Sequence, residues 1–158
     1  MKVINLKSAY TTINLPKQFK FVEDANSADY VRVADLLNGF GLDEGNANLQ
    51  ERTFKASSGV EFIYHNSKLV ACGRVLSDGI SQSAVYNIAV DVEYQGLHLG
   101  SLLMKRIIDR YKQTNIVLHT HPDTVEWYKN LGFRKLNTGL IIFNQEDVSW
   151  FKSEGFIV

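Results

Sequence analysis

The chain has 158 residues, with 17 lysines and arginines against 17 aspartates and glutamates, so its formal net charge is zero. That length suits one domain spanning 1–158 with a real core, and 45% hydrophobic against 22% charged residues excludes a disordered chain. The even balance speaks against a dedicated nucleic-acid binder, which carries a basic excess to displace counterions from phosphates. No apolar run is long enough to span a bilayer, and the first ten residues lack the apolar stretch of a signal peptide. A single cysteine, Cys72, leaves no intramolecular disulfide. Together these features predict a cytoplasmic protein with neither nucleic acid nor membrane among its partners.

The first ~25 residues read as extended, with Pro16 interrupting any helix. Asn26 or Ser27 caps a helix over 28–37, whose apolar residues at 30, 33, 34 and 37 keep helical spacing. Gly39 and Gly41 end it. A more polar helix is expected over 47–56, stopping before Ser57-Ser58-Gly59. The period then changes. Residues 60–65 and 69–76 are β-branched and apolar, with Asn66-Ser67-Lys68 between them as a hairpin turn. Asp78-Gly79 ends the second of these strands, and 84–92 follows as a central strand with little charge. Leu99, Leu102, Leu103, Ile107, Ile108 and Tyr111 form one apolar stripe of a helix over 99–112. A strand over 115–120, a short helix over 123–131 closed by Gly132, and strands at 133–135 and 138–143 complete the sheet. The order implies a mixed α/β (α+β) fold, with a mostly antiparallel central sheet flanked by helices on both faces. Residues 144–158, with Trp150, Phe151 and Phe156 among charges, are either a packed segment or a dimer contact.

The most informative stretch is Val90-Asp91-Val92-Glu93-Tyr94-Gln95-Gly96-Leu97-His98-Leu99-Gly100-Ser101. A buried strand runs into a loop holding glycine, and the loop opens directly onto an amphipathic helix. Glycine lets backbone amides approach a ligand, and the first N–H groups of a helix lack partners at the positive end of its dipole. The pattern suits a pyrophosphate, or else merely a tight turn into a helix. No G-x-x-x-x-G-K-[ST] occurs, and Gly39-Phe40-Gly41 follows a helix and lacks a third glycine, which excludes two better-known phosphate loops.

Gln95-Gly96-Leu97-His98-Leu99-Gly100 resembles the acyl-CoA pyrophosphate loop of the GNAT-type N-acetyltransferases, Q/R-x-x-G-x-G/A. Gln95 and Gly100 match its ends, and His98 stands at its middle glycine. Downstream, Tyr128-Lys129-Asn130-Leu131-Gly132-Phe133 is similar to the family's Y-x-x-x-G-F. The resemblance covers about 60–143. It implies that Ile88, Ala89 and Val90 lie on a splayed strand that bonds the pantetheine arm. It implies that Gln95, Gly96, Leu97, His98, Leu99, Gly100 and Ser101 hold the pyrophosphate. Tyr128 then protonates the departing thiolate; judged as a residue alone, it is a core aromatic beside Trp127 and Phe133. Acetyl-CoA is the implied co-substrate and a small-molecule primary amine the implied acceptor, joined by direct attack in a ternary complex. Homodimers are frequent in the family.

Other assignments are less tied to motif. The general base is His119, Asp78, Glu61 or a water chain. Asp78, Tyr86 and Asn87, with His119, are candidates to face the acceptor, an acidic group suiting a cationic amine. His119-Thr120-His121-Pro122-Asp123 puts two histidines at i and i+2, a metal-ligand spacing. The run is similar to the H-x-H-x-D-H signature of metallo-β-lactamase-like hydrolases, but Thr124 replaces its last histidine, so no metal is expected. Two alternatives to the transferase remain: an acyl-CoA-binding sensor without turnover, for which His98 speaks, and a zinc hydrolase built on His119 and His121.

Overall fold

A computed structural model describes residues 15–41 and 45–158. They fall into two compact units, one running to Leu118 and one from His119 to Val158. The extended start expected before residue 25 lies outside the described residues up to position 14, and β1 occupies Phe19–Val22.

In the first unit the elements follow as α1 (Tyr30–Gly39), α2 (Ala47–Lys55), β2 (Gly59–His65), β3 (Lys68–Ser77), β4 (Gln82–Val90), α3 (Leu99–Arg110) and β5 (Asn115–Val117). The sheet order is β1-β2-β3-β4-β5, antiparallel throughout except for the parallel pair β4–β5. Asp29, not Asn26 or Ser27, caps α1 by accepting from the Arg32 N–H, and Asn46 does the same for α2 through Leu49. Strand alternation divides the side chains between two layers. Val60, Phe62, Tyr64, Cys72 and Ala89 pack with Tyr30, Val33, Leu37 and Phe54 of α1 and α2. Glu61, between Val60 and Phe62, instead meets Arg106 of α3. Helices therefore cover both faces, as expected.

Two expectations need correction. The strand expected to reach residue 120 ends at Val117, so β5 pairs with β4 only over Gln82–Ala84. Residues 133–135 and 138–143 form no strands, and Leu140 and Ile142 are 100% and 98% exposed. A β-branched, apolar run becomes a strand only where a neighbour offers a ladder and a surface to pack on. The second unit supplies neither and packs the end of this run by setting Phe143 against Phe151, the tilted rings 4.3 Å apart. That unit otherwise contains a 3-10 turn at Pro122–Thr124, α4 (Val125–Asn130) and α5 (Ser149–Ser153).

Candidate functional site

Past Ala84 no strand among the described residues flanks the outer edge of β4. Which peptide groups face that edge is decided by a bulge. Cys72 pairs with Ala89 and Arg74 with Tyr86, so Asn87 and Ile88 together oppose the single residue Gly73. The consequence is visible in two backbone bonds. Asn115 N–H donates to Ser81 O on the β5 side at 2.8 Å, whereas Asp91 N–H donates to Val70 O on β3 at 2.8 Å. Residues ten apart on an unbroken strand would face the same way; these face opposite ways because of the extra residue. The peptide groups of Ile88 and Val90 therefore point along the free edge, and Val90 O accepts from Gln95 Nε2 at 3.3 Å. Ala89, buried and paired with Cys72, faces β3.

The edge leads straight into the loop. A 3-10 turn at Val92–Tyr94 is capped by Asp91, whose Oδ1 accepts from Glu93 N–H at 2.9 Å. Asp91 is buried and ion-paired to Arg32 of α1 and to Lys68 at 3.0 Å. Burial raises its pKa, but the Glu93 N–H, Lys68 and Arg32 together hold the carboxyl below the usual range. Gly96 stands at φ +83° with open space where a side chain would be. His98 stands at φ +61°, in the left-handed region, and precedes α3 without a side-chain cap. The first helical bond is Leu102 N–H to His98 O at 3.0 Å. This leaves the N–H groups of Leu99, Gly100 and Ser101 without a helical partner at the positive end of α3. His98 thus adopts by itself the conformation a glycine takes freely, and the departure from the family pattern leaves this backbone path intact.

The other expected residues are placed as follows. Asp78 forms the β3–β4 turn: Oδ1 accepts from the N–H groups of Ile80, Ser81 and Gln82 at 2.8, 2.8 and 3.0 Å, and Oδ2 from Ser81 Oγ at 2.7 Å. Those bonds drive its pKa far down, which unfits it as a base. Tyr86 is half-buried, with the Arg74 guanidinium 4.9 Å from its ring centre. Glu61 is 2% exposed, held by Arg106 Nε at 3.0 Å with Arg110 at 3.7 Å, and burial pushes its pKa up to about 7. Cys72 is fully buried and its thiol is pushed up to about 12, as befits a packing residue.

In the second unit, Tyr128 lies edge-on to Phe133 at 5.8 Å and to Trp127 at 4.7 Å. Burial pushes its pKa up to about 12 against a hydrogen bond with Thr120. His119 is exposed and lies beyond β5, so the two histidines do not share a strand face. His121 accepts from Asp123 N–H at 3.2 Å and lies 3.2 Å from Glu154 Oε2, which makes it a turn cap. Among the described residues no group of three histidine, cysteine or acidic side chains is arranged to hold a metal. Sequence reasoning singled out Asn87 for the acceptor but missed its place in the bulge, and it missed Arg74; the available signal was Gly73, a lone glycine inside a strand pattern.

A family model described as an acetyltransferase (GNAT) domain matches residues 57–135, half of the chain. The chain belongs to that family. An uncharacterized N-acetyltransferase of Pyropia yezoensis is 36% identical over 73 residues, 44% of this chain and 42% of that protein. A chloroplastic GCN5-related N-acetyltransferase of Arabidopsis thaliana is 35% identical over 69 residues, 42% of this chain and 27% of that protein. The match thus spans less than half the length of these curated relatives. Among solved structures, a GNAT family acetyltransferase from Streptococcus pneumoniae superposes with a TM-score of 0.69 at 24% identity, over 81% of this chain and 99% of that one. A probable acetyltransferase from Staphylococcus aureus gives 0.70 at 22%, over 79% and 98%. These likenesses bear out the fold. No described helix is long and apolar enough to cross a membrane.

Proposed function

We propose that the chain is an N-acetyltransferase that moves the acetyl group of acetyl-CoA to a primary amine of a small molecule in a ternary complex. One observation carries the reading. The free edge of β4 at Ile88 and Val90 leads, through the turn at Val92–Tyr94 and the Gly96 loop, to the uncapped N–H groups of Leu99, Gly100 and Ser101. A pantetheine arm carries amides that complement a strand edge, and a pyrophosphate suits a helix N-terminus. The residues present therefore fit the co-substrate, which is also what family membership implies.

The amine's lone pair attacks the thioester carbonyl carbon, forming the C–N bond and placing charge on the oxygen. A peptide N–H of the β4 edge, aimed outward by the bulge, stabilises that oxygen. The oxyanion then re-forms the carbonyl, the C–S bond breaks, and coenzyme A leaves as a thiolate that takes up the proton the nitrogen sheds on becoming an amide. The Y-x-x-x-G-F motif supports Tyr128 as the group that meets it. With a pKa near 12, its phenol stays protonated at neutral pH and serves as a hydrogen-bond donor to sulfur. An ammonium of pKa ~10 must lose a proton before attack. Asp78 is consumed by its turn and Glu61 is locked to the α3 arginines, which leaves His119 or a water chain to take that proton.

The family model runs across both compact units, which supports one catalytic domain over 1–158. A lone, buried cysteine supports a reducing compartment, and the curated relatives include proteins named chloroplastic. The left-handed φ of His98, a conformation glycine takes freely, supports an intact binding loop; turnover with an amine is what separates the transferase from a sensor that only binds. Calorimetric titration with acetyl-CoA, with adenosine 3′,5′-bisphosphate as comparison, tests the site: one saturable site per chain is expected. An amine panel with detection of free thiol then reads turnover. Absence of saturable binding overturns the proposal.

A further inference from the structure

The bulge in β4 turns on a left-handed residue that is not glycine. Asn87 stands at φ +55°, where the first residue of such a bulge is usually glycine. The restraint comes from the neighbouring strand. Arg74 Nε donates to Asn87 Oδ1 at 2.5 Å while the guanidinium lies over the Tyr86 ring. The Cys72 thiol adds a weak contact to Asn87 O at 3.5 Å.

We propose that Arg74 is a positioning residue: by gripping the Asn87 side chain it keeps β4 in the bulged register, and so keeps the Ile88 and Val90 peptide groups on the free edge. The inference rests on the acetyl-CoA reading and deepens it, since that edge is where the thioester end of the co-substrate docks. Relaxing Asn87 to an extended φ restores two-residue alternation and turns the Ile88 peptide toward β3, taking its N–H off the edge. Gly73 makes the bulged state sterically possible. A Cβ there would lie 2.5 Å from Ile88 Cδ1 and 2.9 Å from Leu103 Cδ2, so the missing side chain is what admits Ile88.

Arg74→Met keeps the length and apolar stem but loses the donor. Because asparagine takes the left-handed region more readily than other non-glycine residues but less readily than glycine, kcat for acetyl transfer is expected to fall about 2–5-fold. Affinity for adenosine 3′,5′-bisphosphate, which reads the loop and not the edge, should stay unchanged. Adding Asn87→Gly to Arg74→Met should restore kcat, because glycine takes positive φ unaided. Amide exchange in the ligand-free protein reads the same device without acetyl-CoA: the Ile88 amide, open in the wild type, becomes protected in Arg74→Met and opens again in the double variant. If Arg74→Met does not fold, Arg74→Leu, which also lacks a donor, is read by the same exchange pattern. An unchanged Ile88 exchange rate overturns the clamp, as does a slow single variant that Asn87→Gly fails to rescue; Arg74 then acts through its charge. Failure of the wild type to bind acetyl-CoA would instead overturn the parent reading, and the exchange pattern would still decide the clamp.

Discussion

Replacing Glu61 by glutamine is expected to remove most of the dependence of stability on pH between about 4.5 and 7. Glu61 is buried on the α3 face of β2, and desolvation raises its pKa from 4.5 to about 7 against the pull of Arg106. Between those values the folded chain binds a proton that the unfolded chain has released. Stability therefore falls as pH rises through that window, and the contribution is intact only below the unfolded value. At about 1.4 kcal/mol per pKa unit the loss comes to about 3 kcal/mol. In urea, with a slope near 2 kcal/mol/M, the midpoint should drop by about 1.5 M between pH 4.5 and pH 8. Glu61→Gln keeps the shape and an oxygen for Arg106 but does not titrate, so its midpoint should change much less. The assay is equilibrium urea unfolding of both proteins across that range, the difference between them cancelling the remaining carboxylates. If the ion pairs to Arg106 and Arg110 outweigh burial, the wild type will hold or gain stability with pH and the variant will be the weaker at pH 8. That result refutes the reasoning.

Gly73→Ala sets a methyl against Ile88 and Leu103 and should cost about 1–3 kcal/mol as an overpacked core, measured by thermal or urea unfolding. It should also weaken acetyl-CoA binding, because Ile88 is on the edge strand. His98→Val places a β-branched residue at positive φ and should weaken acetyl-CoA by roughly tenfold, whereas His98→Gly should bind at least as well as the wild type; equal affinity in both variants would show that the loop does not use this conformation. Tyr128→Phe should lower turnover with acetyl-CoA affinity unchanged, and an unaltered kcat removes the donor role.

Local patterns were enough to find β2, β3, α2 and α3, because each is a short-range choice between a two-residue and a 3.6-residue period. The loop was equally open to reading. A strand running into Gln95-Gly96 and on to Gly100 at the head of an amphipathic helix leaves few other uses for its amides. His98 was the point of doubt, and only its backbone angle answered it. Asp78 looked like an available carboxylate beside a glycine until the fold wrapped Ile80, Ser81 and Gln82 around it. The run Leu140-Ile141-Ile142 had the composition of a strand and none of the neighbours.

By itself the sequence determined the fold class, the family loop and the buried side of α1 and α3, since those depend on residue type and spacing along the chain. Only the tertiary structure decided which peptide groups of β4 face outward. That choice depends on an extra residue opposite Gly73, on a left-handed Asn87 and on an arginine 13 positions earlier. A strand's register is a relation between two chain segments, and no periodicity within one of them encodes it.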